Sequence, residues 1–93
     1  MASIELEGNT YHLRASMKAL RDFEERTGTS IAALGETDVT KVPVLLYFFA
    51  KAGMKREGEP FKLTEDEWMD MITTEDLAEI QPVLTQLLAG KKK

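Results

Sequence analysis

Few residues in this chain carry side chains able to do chemistry, and their spacing argues for binding over catalysis. His12 is the single histidine, and it alternates with apolar neighbours in a way that puts it on the solvent face of a strand. A general base needs a partner within hydrogen-bond reach, and no G-x-S-x-G nucleophile elbow accompanies it. The six glycines are scattered over turns and helix ends instead of gathering in a phosphate-cradling loop. The absence of cysteine removes disulfides, thiolate nucleophiles and metal sites built from His and Cys. Seven acids, Glu65, Asp66, Glu67, Asp70, Glu75, Asp76 and Glu79, lie between Lys62 and Lys91 with no base among them. They do not alternate through a glycine-containing loop as calcium ligands do. Most fall in first turns of expected helices, where carboxylates cap free amides and offset the dipole. The reading is of a non-enzymatic protein, with no cofactor and no metal.

The elements that position these residues belong to one small domain, since the chain has 93 residues. A domain of this size buries about 60–70% of the surface its unfolded chain exposes, so self-association would help it. Its 43% hydrophobic content sets it apart from disordered chains. A net charge of -4 argues against nucleic acid as a partner. The acidic start, Met1 to Glu7, lacks the basic and apolar stretches of a signal peptide. The apolar run from Val42 to Ala50 is far short of the ~20 residues a membrane span needs. The expectation is a soluble, intracellular protein.

The fold expected is α+β, mostly α: an N-terminal β-hairpin packed on a compact bundle of four to five short helices, spanning residues 1–90 before a basic tail at 91–93. Ile4, Leu6, Tyr11 and Leu13 alternate with polar residues, which predicts a hairpin over 3–14, with Gly8-Asn9 as its turn. Ser16 as cap and Gly28 as terminator predict a helix over 16–27. Its inner face would be Met17, Leu20, Phe23 and Thr27, its outer face Lys18, Arg21, Asp22, Glu25 and Arg26, with Asp22 and Arg26 an acid-first pair four apart. Thr29-Ser30 starts a short helix at 30–34.

A third helix, over 39–53, has Asp38 or Thr40 as cap, Pro43 in its first turn and Gly53 at its end. It is apolar on nearly every side, which marks a central core helix. Alternatively, one flank at Tyr47 and Phe48 meets another subunit or a partner. After a charged loop, Thr64 and Glu67 form a capping-box pattern for a helix over 64–72 with Trp68, Met71 and Ile72 on its apolar edge. Thr73 or Thr74 caps a last helix over 74–89, with Leu77, Ile80, Leu84, Leu87 and Leu88 on one side. Pro82 should kink or split it. The acidic C-terminal part, set against Lys51, Lys55, Arg56 and Lys62, suits head-to-tail association.

The order of these elements resembles a known family. Tyr11-His12-Leu13-Arg14, Ser16-Met17-Lys18-Ala19-Leu20 and Phe23-Glu24-Glu25-Arg26-Thr27-Gly28 look like the tail assembly chaperones of long-tailed bacteriophages, and of related prophages and gene transfer agents. The likeness continues through the apolar helix from Val44 to Ala52 and the helix start at Leu63-Thr64-Glu65-Asp66-Glu67. The resemblance implies a chaperone that binds the tape measure protein, keeps its helices soluble and helps tail tube protein polymerise around it. It implies residence in the host bacterial cytoplasm, departure before the virion is complete, and a homo-oligomer in the form of a ring or helical array.

The contact surface expected on this reading is Tyr47, Phe48, Phe49, Trp68 and Met69, although large apolar residues are more often core when taken singly. In this family a longer product is often made by ribosomal frameshifting. Gly90-Lys91-Lys92-Lys93 can be encoded by a slippery run of adenines, or can simply complement the negative end of a helix. Other readings are a small homo-oligomeric adaptor or head–tail joining protein, and an antitoxin-like protein that masks a partner's surface.

Overall fold

In the computed structural model of the chain, the residues described are 3–28 and 41–89. The expected helix over 30–34, the caps Asp38 and Thr40, the tail 91–93 and the Leu88 side chain lie outside the described set. The architecture is α+β, mostly α: among the described residues, an antiparallel hairpin packed on four helices.

Strands β1 (Ser3–Leu6) and β2 (Asn9–His12) pair with Ile4 opposite Tyr11 and Leu6 opposite Asn9. This register makes Glu7-Gly8 the turn, one residue earlier than the Gly-Asn dipeptide indicates. Both turn residues have positive φ, 52° and 84°, as a turn matching the right-handed twist of the strands requires. With the strands ending at His12, Leu13 is fully buried. The Arg14 amide donates to the Phe49 carbonyl at 3.0 Å. The chain leaving the hairpin is thereby tied to a helix, which gives the two-stranded sheet the support it lacks alone.

Helix α1 (Met17–Thr27) starts at Ser16, whose hydroxyl accepts from the Ala19 amide at 3.1 Å. It stops at Gly28, left-handed at φ 72°. Ala19 and Phe23 are its buried residues, with Leu20 and Thr27 half-buried. Met17, expected on the inner face, is 79% exposed, because the buried stripe is centred on Ala19 and Phe23. Asp22 pairs backward with Lys18 at 3.0 Å instead of forward with Arg26.

Helix α2 (Lys41–Arg56) is the axis of the molecule, packing on α1, β2 and the third helix. Val42, Val44, Leu45, Leu46, Phe49, Ala50 and Met54 are all buried along it. Gly53 does not end this helix. A Cβ there would fall on the His12 carbonyl and lie 2.7 Å from the Leu13 nitrogen, so the missing side chain admits strand β2, and the helix continues three residues further. The left-handed glycine beyond it is Gly58, at φ 74°.

Helix α3 (Glu65–Met71) begins with the reciprocal box: Glu67 donates its amide to Thr64 Oγ1 at 3.2 Å, and the Thr64 amide donates to Glu67 Oε1 at 2.9 Å. Thr73 and Asp76 repeat the device for α4 (Thr74–Ala89), at 3.0 and 3.2 Å. Helix α4 runs unbroken through Pro82 and packs on β1. Ile80 and Leu84 are buried in it, and Leu77, Val83 and Leu87 are packed against the core. Burial of that stripe holds the helix together across the proline, which alone would split it.

Candidate binding surface

Two of the five residues expected to meet a partner belong to the interior. Phe49 and Trp68 are fully buried. The Trp68 Nε1–H donates to the Pro43 carbonyl at 3.0 Å, and its ring meets Tyr11 edge-on at 5.2 Å and Phe61 at 5.7 Å between centroids. A tryptophan with its one donor satisfied and its faces covered is a core residue. Phe49 lies on the side of α2 that receives Arg14 from the hairpin. Neither is a contact residue.

Tyr47, Phe48 and Met69 are half-buried. The Tyr47 hydroxyl donates to the Leu63 carbonyl at 3.1 Å, tying α2 to the approach to α3. Its ring lies 5.5 Å from that of Phe48 and 5.7 Å from that of Phe61. Burial, followed by the charges of Glu65 and Glu67, raises the Tyr47 phenol above its ordinary value, so the neutral donor is the stable form. Lys51, one turn further along α2, sits over both rings, 5.5 Å from the centre of Tyr47 and 6.0 Å from Phe48. A cation held over two rings leaves its ammonium toward water while its stem covers apolar surface.

Phe48 also opens onto a groove of about 530 Å³ between the start of α1 and the end of α2. Phe48 and Ala52 line it from α2, and Ala19 from α1. Lys51, Lys55 and Arg56 rim one side; Arg14 and Lys18 rim the other. Asp22 is the one acid in the lining, and its carboxyl lies below its ordinary value, chiefly because Lys18 donates to it.

No family model, curated protein or solved structure matches this chain. Lys51 and Lys55 are one turn apart on α2, a spacing visible in the sequence. Arg14 and Lys18 come from a different part of the chain, and nothing in their spacing shows that they face the same groove. The acids behave otherwise. Glu67 and Asp76 are occupied as caps, and Glu65 is held by Arg26.

His12 is half-buried, and its backbone amide is directed at the Met54 sulfur at 3.3 Å. Among the described residues no group of three or more His, Asp or Glu side chains is placed to hold a metal ion. No helix among them is long and apolar enough to cross a membrane.

Proposed function

We propose that this protein is a non-catalytic phage tail assembly chaperone. It binds the helical tape measure protein, keeps it soluble while tail tube protein polymerises around it, and leaves before the particle is complete. The observation that carries the reading is the Tyr47–Phe48 pair, half-buried on a helix whose other large apolar residues are buried. Tyr47 is tied into the fold through the Leu63 carbonyl, yet its ring and that of Phe48 stay half-exposed at the open flank of the helix, and aromatic residues are the preferred anchors of protein contacts. The order of hairpin, amphipathic helix, apolar helix and capped helix supports the family resemblance. Tyr47, Phe48 and Met69 are the contact residues on this reading, and the protomers associate into a ring or helical array.

Reading the genome downstream of this gene tests the proposal. The expected arrangement is a following frame in a shifted phase and then a very long, helix-rich frame. A downstream region without a long helical frame would contradict it.

A further inference from the structure

We infer that the groove between α1 and the end of α2 is a docking site for an acidic amphipathic helix of a partner protein. The inference stands on the groove itself and does not depend on the phage reading.

Arg14, Lys51, Lys55 and Arg56 crowd its rim, and none forms an ion pair with another described residue. They do so on a chain whose net charge is -4. Cations in the last turn of a helix offset its negative end, which accounts for Lys55 and Arg56. It does not account for Arg14, which arrives from the hairpin, and Lys51, although it lies over the Tyr47 and Phe48 rings, has no carboxylate partner among the described residues. Four like charges around one opening repel each other, and carboxylates from outside relieve that repulsion.

The groove floor sets the shape of the occupant. Phe48 and Ala52 are four apart, so they lie on one face of α2, with Ala19 of α1 opposite them. Alanines at these positions let a third helix come close, and Phe48 offers the apolar area. From Phe48 on its floor to Arg56 on its rim the groove runs roughly 12 Å along α2 at 1.5 Å per residue, which accommodates about two turns. The matching segment carries small or aliphatic residues every third or fourth position and Asp or Glu on both flanks. A nucleic acid fits less well: its binding is driven by phosphate neutralisation, which the net negative charge of the whole protein opposes, and it would leave the apolar floor unused.

The test is fluorescence anisotropy of the full-length protein with two labelled peptides, each with leucine along one helical face. One carries glutamate on its remaining positions and the other lysine. The glutamate peptide should bind, and added salt should weaken it. Lys51→Glu with Lys55→Glu should weaken it at least about tenfold, Lys51→Gln with Lys55→Gln less so, and Lys62→Glu, outside the groove, should leave it unchanged. Both groove lysines are exposed, and circular dichroism checks that each variant keeps its helices. Equal binding of the lysine peptide, or unchanged binding in the Lys51/Lys55 variants, would overturn the inference. So would tighter binding of a single-stranded oligonucleotide at the same groove, or a wild-type dimer that the charge reversals dissociate, since that assigns the groove to a second copy.

Discussion

Gly53, in the middle of the last turns of α2, lies directly against the backbone carbonyl of His12, with no room for a side chain between helix and strand. The contact decides how closely the hairpin seats on the central helix. In an exposed helix, Gly→Ala stabilises by about 1 kcal/mol. Here the sign reverses, because backbone atoms cannot yield as the end of a flexible side chain does. Gly53→Ala should destabilise the protein by about 2–3 kcal/mol, the upper part of the range for overpacking. Urea unfolding followed by circular dichroism measures it, and a variant as stable as wild type would show that the hairpin is not seated there.

Arg26 and Glu65 are 39 residues apart in sequence, yet they form a two-pronged pair at 2.9 and 3.0 Å that joins the end of α1 to the start of α3. Arg26 remains 58% exposed, so the pair is screened by water and salt. A double-mutant cycle with Arg26→Ala and Glu65→Ala should give a coupling of about 0.5–1 kcal/mol that shrinks in high salt. A coupling of zero at low salt would mean the pair does not fix the α1–α3 geometry.

The hairpin, α1 and the two capped helices were legible in the sequence because each rests on local chemistry: alternation at Ile4 and Leu6, Ser16 and Gly28 as caps, Thr64 with Glu67, and Thr73 or Thr74 as the cap of α4, of which Thr73, paired with Asp76, is the one used. What was not legible depends on contacts between distant segments. Gly53 has the composition of a helix stop, and only the approach of His12 shows that its role is packing. Gly8 belongs to a turn with either neighbour, and the strand register selects Glu7. Asp22 has cations four residues away on both sides, and the approach of α3 draws Arg26 away to Glu65. The aromatic residues carried the same ambiguity: Phe48 and Phe49 are adjacent, but one is buried and the other opens onto a groove. The basic rim was half visible, as Lys51 and Lys55 share a helix face, whereas Arg14 joins them only through the fold.

Tyr47 makes stability sensitive to alkaline pH. Its phenol lies above its ordinary value of 10.0 in the folded protein, because burial and the neighbouring Glu65 and Glu67 disfavour phenolate. The folded state thus keeps this proton to higher pH than the unfolded state does. The contribution is complete below pH 10.0 and is lost as pH rises through the folded-state value. Tyr47→Phe cannot ionise and should lack this component, so the wild-type and variant unfolding free energies should converge as pH is raised above 10. Parallel curves would contradict the assignment.

Trp68 and Phe48 should separate fold from function. Trp68→Phe removes the donor to the Pro43 carbonyl and part of a fully buried side chain, and should cost about 1–3 kcal/mol. Phe48→Ser, at a half-buried position, should cost less and leave helicity unchanged. Thermal unfolding of the two variants ranks them directly. A Phe48→Ser variant that loses its fold would place Phe48 in the core instead of on the contact surface.

The central claim is that this protein holds a long helical partner in solution. The most direct measurement is co-expression with the product of the long helical frame that the proposal expects downstream, followed by the fraction of that product recovered soluble and co-purified. The account predicts a soluble complex with the wild-type protein and an insoluble partner without it, with recovery falling when folded Phe48→Ser replaces wild type. A partner equally soluble with and without this protein, and never co-purifying with it, would contradict the account.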